Sequence, residues 1–224
     1  MLVSLKKISM IYGNDNKGVM ALRDINLEVK EGDFLAVSGK SGCGKSTLLN
    51  VLGVVCKPSR GTYFYNDRAV TDLNDAKRAD FRCYNVGFVV QHFALIKDMT
   101  VFQSISLPLR YQGKSRKYIK ERVEMLADQF DISDKLNTVS GELSGGQCQR
   151  VAIARAISGN PKLLLADEPT GALDEETGEH IINIFRKLNQ GGMTIVMVTH
   201  DVDIAQQCRR QVIMKDGGIC QCGK

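Results

Sequence analysis

Four short runs of mostly apolar residues stand out along the chain. They are Phe34–Ser38, Val86–Val90, Lys162–Ala166 and Thr194–Val198. Runs of this length, bounded by turn-forming or polar residues, are typical of strands that are buried on both faces. Longer segments with helical spacing separate them, so the pattern predicts an α/β fold with a buried sheet.

Between the second and third runs the strand pattern disappears and a helical one replaces it. One amphipathic face recurs at helical spacing and consists of Ile119, Val123, Leu126, Ala127 and Phe130. Further helices are predicted from Cys148 to about Ser158 and from Glu175 to Gln190, where Gly191-Gly192 ends the second. Residues 92–158 are therefore predicted to be a helical insertion in a core made of residues 1–91 and 159–224.

The two ends of the chain favour short strands. The first 38 residues alternate around a turn at Lys30–Asp33, and Val212–Met214 with Ile219 predict a terminal hairpin. Tyr12 precedes a glycine- and asparagine-containing loop, Gly13–Gly18. Its ring is a candidate platform for a nucleotide base, although a tyrosine beside a loop more often serves packing.

The first predicted buried strand leads into a phosphate-loop pattern, Gly39-Lys40-Ser41-Gly42-Cys43-Gly44-Lys45-Ser46-Thr47. Its glycines let successive backbone N–H groups face one point, and the helix that follows adds its positive N-terminal end. In such a loop Lys45 reaches the β- and γ-phosphates and Ser46 ligates Mg²⁺. The alternative, a glycine-rich turn that binds nothing, is disfavoured because every fixed position is filled.

A second helix start has the same character. Leu143-Ser144-Gly145-Gly146-Gln147 precedes a predicted helix that Ser144 can cap, and the two glycines free the backbone there. By physical chemistry alone this is either an anion-binding helix start or an ordinary capped helix.

Polar residues end three of the buried runs. Asp167-Glu168 follows Leu-Leu-Leu-Ala, and Gln91 and His200 follow two other strands. In α/β sheets this edge binds ligands, so Asp167 could hold Mg²⁺ and Glu168 could orient or deprotonate a water. A solvated acidic pair and a structural histidine are the alternatives. Carboxylates beside an apolar strand are costly unless they meet cations, which favours a shared site.

Composition and charge limit the ligands, the metal or disulfide sites and the cellular location that can be expected. The 224 residues carry a formal charge of +5, which suits an anionic ligand but gives no argument for nucleic acid. Seven scattered cysteines without paired spacing indicate neither disulfides nor zinc. No apolar run approaches the ~18 residues of a membrane span, and no signal peptide is recognisable. The expected location is the cytoplasm, with membrane contact only through a partner.

The order of these motifs resembles the ATP-binding subunit of ABC transporters over essentially the whole chain. Residues 39–47 resemble Walker A, Leu143–Gln147 the signature sequence, and Leu163–Glu168 Walker B. Gln91 resembles the Q-loop glutamine, Ala172-Leu173-Asp174 the D-loop, and His200 the switch histidine. Tyr12 stands where the family keeps its adenine-stacking aromatic. The resemblance implies a phosphate-loop, RecA-like core with an N-terminal antiparallel β part and an inserted helical subdomain.

The resemblance also implies a mechanism. ATP would be sandwiched between the phosphate loop of one chain and Ser144 and Gly146 of a second copy, which makes a homodimer. Lys45, Ser46, Asp167 and Gln91 would hold Mg-phosphate, Glu168 would activate water, and His200 would position the γ-phosphate.

Several stretches, among them Met20–Leu27 and Asn85–Gln91, resemble the subgroup of lipoprotein-release, macrolide-export, peptide-resistance and FtsE-type ATPases. An integral membrane permease is the implied partner, docked on residues 92–109, although core packing explains the apolar residues there equally well. Export or extraction and an FtsE-like regulatory role both remain open. Ser140 and Cys148 depart from the usual residues around the signature and put its rigidity in question.

Overall fold

The computed structural model describes residues 1–13 and 18–223, so most of the predicted Gly13–Gly18 loop lies outside the described residues. The strands are β1 (Val3–Tyr12), β2 (Val19–Val29), β3 (Phe34–Ser38), β4 (Arg60–Tyr65), β5 (Arg68–Ala69), β6 (Val86–Val89), β7 (Leu163–Asp167), β8 (Thr194–Val198), β9 (Arg210–Lys215) and β10 (Gly218–Gly223). The helices are α1 (Lys45–Leu52), α2 (Asp75–Asn85), α3 (Val101–Tyr111), α4 (Arg116–Gln129), α5 (Gly145–Ser158), α6 (Glu175–Gln190) and α7 (Val202–Gln206).

The strands form two sheets. A six-stranded sheet has the order β10-β9-β3-β8-β7-β6, in which the five strands from β9 to β6 are parallel and β10 closes a terminal hairpin. A four-stranded antiparallel sheet has the order β2-β1-β4-β5. The predicted α/β fold with an antiparallel part is confirmed, and the four apolar runs are β3, β6, β7 and β8.

Each face of the six-stranded sheet carries its own hydrophobic cluster, because successive side chains of a strand point to opposite faces. In β7, Leu163 and Leu165 join the cluster that contains the buried leucines of α1. Leu164 and Ala166 join the cluster that contains α5 and α6. Helices α1 and α5 therefore pack on opposite faces of one sheet.

The helical segment between β6 and β7 shares this second cluster with the sheet. Val101 and Ile105 of α3 have no exposed surface and pack within it, and Leu95 and Phe102 are partly buried against it. Core packing therefore accounts for these apolar residues. Ile96, by contrast, is 54% exposed.

Helix α2 and the start of α5 differ from the prediction. Helix α2 buries none of its residues, so it lacks the apolar periodicity that marks a helix in a sequence. Its signal was a cap, because the Asn74 side chain accepts a bond from Lys77 N at 2.9 Å. Helix α5 begins at Gly145, three residues before the predicted Cys148, because Ser144 caps it there. No helix in the described ranges is long and apolar enough to cross a membrane.

The sheet core makes a direct prediction about stability. Val196 in β8 has no exposed surface and Val202, at the start of α7, is 60% exposed. We expect Val196→Ala to lower the free energy of unfolding by about 2 kcal/mol, because it removes buried methyl groups and leaves a cavity. Val202→Ala, the matched control, should change it by less than about 0.5 kcal/mol. Urea unfolding curves measure both, and equal midpoints for the two variants would contradict this account of the core.

Candidate functional site

The loop between β3 and α1 has a backbone that only glycine fits at two positions. Gly39 and Gly44 have φ angles of 148° and 101°, in the region that other residues rarely adopt. A Cβ on Gly39 would collide with the carbonyl oxygen of Met214, and one on Gly44 with that of Ala21. Neighbouring backbone thus approaches the loop closely and fixes its course.

Lys45, the first residue of α1, lies across this loop. Its ammonium donates to the carbonyl oxygens of Gly39 at 2.8 Å and Lys40 at 3.1 Å, and the residue is 8% exposed. Two of the three ammonium hydrogens are used in this way, which leaves one for an anion.

The rest of the loop is divided between solvent and core. Cys43 is buried, with its sulphur against Gly39, and Thr47 is partly buried. Four residues on the outer side are exposed: Lys40, Ser41, Gly42 and Ser46.

Asp167, the last residue of β7, carries an unsatisfied oxygen. Its Oδ1 is buried and has no hydrogen-bond partner in residues 1–13 and 18–223. Burial raises the pKa of the Asp167 carboxyl, and the Ser46 hydroxyl and the Lys45 ammonium oppose that rise. A carboxylate oxygen and a hydroxyl at one point suit Mg²⁺, which binds through few protein oxygens when phosphates complete its shell. No group of three or more His, Cys, Asp or Glu in the described part of the chain could hold a metal unaided.

Glu168 is joined to His200 across the ends of β7 and β8. His200 Nδ1 lies 2.8 Å from Glu168 Oε2, and the backbone N–H of His200 donates to the same oxygen at 3.3 Å. The Glu168 side chain is 13% exposed and that of His200 68%. An ionised carboxylate can only accept, so Nδ1 is the donor and Nε2 is left for another partner.

Gln91 reaches the same region from β6. Its Nε2 lies 3.2 Å from the point where a Cβ on Gly171 would stand, three residues beyond Glu168. The ladder pairs Val37 with Val198 and Val198 with Asp167, so the parallel strands end at one level. The structure thus brings Gln91, Lys45, Asp167, Glu168 and His200 to one edge of the sheet.

The signature residues stand elsewhere, at the start of α5 on the opposite face from α1. Ser144 accepts from Gln147 N at 3.4 Å, and Gln147 Oε1 accepts from Ser144 N at 2.9 Å, a reciprocal capping box. Ser144 and Gly145 are exposed. Gly146 lies against α6, since a Cβ there would be 2.7 Å from Thr177 Cγ2.

Ser140, which departs from the usual residue before the signature, stabilises the turn there. It is 4% exposed, and its hydroxyl donates to Met99 O at 3.0 Å. The Cys148 thiol lies 3.7 Å from Ser140 O, and burial raises its pKa. These two departures from the usual residues therefore make bonds that hold the turn.

Tyr12 ends β1 in the other sheet. It is 45% exposed and pairs with Val19 of β2, two residues before Ala21, whose carbonyl meets Gly44. The ring therefore belongs to the strand pair that borders the phosphate loop.

Helix α5 is connected to the sheet edge by two residues, Gln149 and Arg155, that were not predicted from the sequence. Gln149 has no exposed surface and donates from Nε2 to Pro169 O at 2.6 Å. The Arg155 guanidinium donates to Phe93 O at 2.9 Å and also to Ala94 O, next to Gln91. A signal was available for Gln149, because a polar residue stands at helical spacing from Ala152 and Ile153 on the buried face.

Comparison with known proteins agrees with this geometry. The family model described as ABC transporter matches residues 22–171. An uncharacterised ABC transporter ATP-binding protein of Methanocaldococcus jannaschii is 39% identical, with 98% of each chain covered. The macrolide export ATP-binding/permease protein MacB of Bdellovibrio bacteriovorus is 40% identical over 97% of this chain, but the chain spans only 33% of its length.

The fold also matches those of solved structures. The dimeric structure of MJ0796, a bacterial ABC transporter cassette, superposes with a TM-score of 0.92 at 38% identity, covering 100% of this chain and 98% of that one. A dimeric post-hydrolysis state of the same cassette, bound to ADP and Pi, gives the same values. The family match, the relatives and the shared fold lead to one conclusion: this chain is an ATP-binding domain of the ABC transporter family.

Proposed function

We propose that this chain hydrolyses ATP at the interface of a homodimer and that closure and opening of the dimer drive a membrane permease. The observation that carries the proposal is the separation of two helix starts. Helices α1 and α5, which begin at the phosphate loop and at the exposed signature residues, pack on opposite faces of one sheet. A single chain cannot direct both at one γ-phosphate, whereas two facing chains can.

The phosphate loop would bind the triphosphate. Residues 39–47 supply backbone N–H groups and the start of α1, and Lys45 supplies the positive charge. Tyr12 would stack on the adenine ring. Ser46, Asp167 and Gln91 would hold Mg²⁺, which when bound neutralises charge on the β- and γ-phosphates. The unpaired Oδ1 of Asp167 supports this assignment.

Glu168 would take a proton from the attacking water. Both bonds from His200 end on Oε2, so Oε1 is left to meet a water. As the water oxygen bonds to the γ-phosphorus, the bond from that phosphorus to the ADP oxygen breaks, and the proton passes to Glu168. His200 orients the carboxylate through Nδ1 and can position the γ-phosphate through Nε2.

A second copy would complete the site. Ser144, Gly145, Gly146 and Gln147 would meet the γ-phosphate bound by the partner chain, so ATP bridges the two copies and phosphate release opens them. The dimeric cassette structures of a relative at 38% identity support this arrangement.

A membrane permease is the proposed partner, and the cytoplasmic face of the membrane the proposed location. Relatives of the MacB type have names that combine ATP-binding and permease functions, and this chain spans about a third of their length. Residues 92–158 would form the helical subdomain, in which residues 92–109 meet the permease, and residues 1–91 and 159–224 would form the core. An FtsE-like regulatory role, without transport, is the alternative, and it uses the same site.

Glu168→Gln tests the assignment of the base. The amide keeps the size of the side chain and still accepts from His200, but it cannot take a proton. We expect ATP binding to persist while single-turnover hydrolysis becomes at least ~100-fold slower. Glu121→Gln, on the exposed face of α4, is the matched control and should hydrolyse ATP as the wild type does. Near-normal hydrolysis in the Glu168 variant would remove this residue from the role.

Ser144→Asp tests the dimer. Aspartate caps a helix as well as serine does, so α5 should stay intact while a negative charge meets the partner's γ-phosphate. In the Glu168→Gln background with Mg-ATP, the dimer should weaken at least about 100-fold, measured by analytical ultracentrifugation. Ser115→Asp, at the cap of α4, is the control that should leave dimerisation unchanged. Equal dimerisation of all three proteins would argue against the sandwich.

Ile96→Asp tests the permease contact. Ile96 is an exposed apolar residue of the segment after Gln91, whereas Phe93 and Leu95 are partly buried and would disturb packing if charged. We expect recovery of the permease with the tagged chain from detergent extracts to fall about tenfold, because an apolar contact is lost. Met125→Asp, on the exposed side of α4, is the control. Loss of ATP binding in the Ile96 variant would indicate a packing role instead.

A further inference from the structure

We propose that Gln149 is a positioning residue for ATP hydrolysis, acting on Glu168 through the carbonyl oxygen of Pro169. The inference rests on the proposed function, in which Glu168 takes the proton from water. It adds a residue of the signature helix that touches neither phosphate nor water in that scheme.

The turn that presents Glu168 is strained. Glu168 has a φ angle of 46°, in the left-handed region that residues with side chains rarely adopt. It also precedes Pro169, whose ring restricts the preceding residue toward extended conformations. Strain of this kind persists only where surrounding bonds hold it, and it is common at active sites.

Three hydrogen bonds hold this turn. Glu168 N donates to Val198 O at 3.0 Å, and Gly171 N donates to Glu168 O at 3.1 Å. The third comes from Gln149 Nε2 to Pro169 O at 2.6 Å. Pro169 has no backbone N–H, so its carbonyl is the group through which a bond can fix it, and Pro169 is buried.

Gln149 is poorly suited to a purely structural role in the core. Its side chain is fully buried, and its Oε1 has no hydrogen-bond partner in the described part of the chain. An unsatisfied buried acceptor is destabilising, and an apolar side chain of the same length would avoid that cost. The amide donates the hydrogen bond that orients the Glu168–Pro169 turn, and an apolar residue could not donate it.

Gln149→Met separates these roles, because methionine has a similar length and no donor. For the full chain with Mg-ATP, we expect kcat to fall about tenfold, since small misplacements of a catalytic group have large effects. The KM for ATP should stay within about twofold. The melting temperature should change by no more than about 3 °C, because the variant loses the bond to Pro169 O but also removes the unpaired Oε1. Gln129→Met, at the exposed end of α4, is the matched control and should leave all three values unchanged.

The double variant Glu168→Gln/Gln149→Met tests whether Gln149 acts through Glu168. If Gln149 acts by aiming Glu168, the double variant should hydrolyse ATP no more slowly than Glu168→Gln alone. Wild-type kcat in Gln149→Met, or a further tenfold loss of hydrolysis in the double variant, would overturn the inference. Normal hydrolysis by Glu168→Gln would instead refute the role of Glu168 as the base in the proposed function, and the positioning role of Gln149 with it.

Discussion

The parallel pairing of β3, β8, β7 and β6 is the constraint on which the rest of the structure depends. In parallel strands the carboxyl ends share one edge, and the register pairs Val37 with Val198 and Val198 with Asp167. The phosphate loop, the acidic pair and His200 follow directly on those ends. A slip of one residue in β7 would turn every side chain of that strand to the other face and separate Asp167 from Ser46.

Helices α1 and α5 are separated because they pack on the two faces of the same sheet. Alternation along each strand gives each face its own hydrophobic cluster, and the two clusters hold α1 and α5 on opposite faces. The phosphate loop is held by contacts with β2 and β9, through Ala21 and Met214. The signature start is held by a capping box, by Ser140 and by α6, and Ser144 stays exposed. In the proposed function, these two helix starts are the surfaces that a second copy joins around ATP.

Two side chains of helix α5 connect the signature to the edge of the sheet where Gln91 and Glu168 lie. Near its start Gln149 bonds to the turn after Glu168, and near its end Arg155 bonds to Phe93 and Ala94 beyond Gln91. Both bonds reach turns with unusual backbone, since Phe93, Ala94 and Glu168, the residue before Pro169, have positive φ angles. A movement of α5 would therefore reach the loops that follow β6 and β7, in addition to the signature itself.

The sequence by itself determined the strands of the sheet, most of the helices and the motif residues. Apolar runs and glycine spacing are local signals, and the chemistry of a phosphate loop is local as well. Helix α2 was not predicted, because it buries none of its residues and so lacks apolar periodicity. Its main sequence signal was the capping residue Asn74. Only the tertiary structure decided that Val101 and Ile105 are core residues while Ile96 is exposed. It also decided that His200 bonds to Glu168 and Gln149 to Pro169. These partners lie 32 and 20 residues apart, and their meeting depends on strand register and helix packing, which no local pattern of residues encodes.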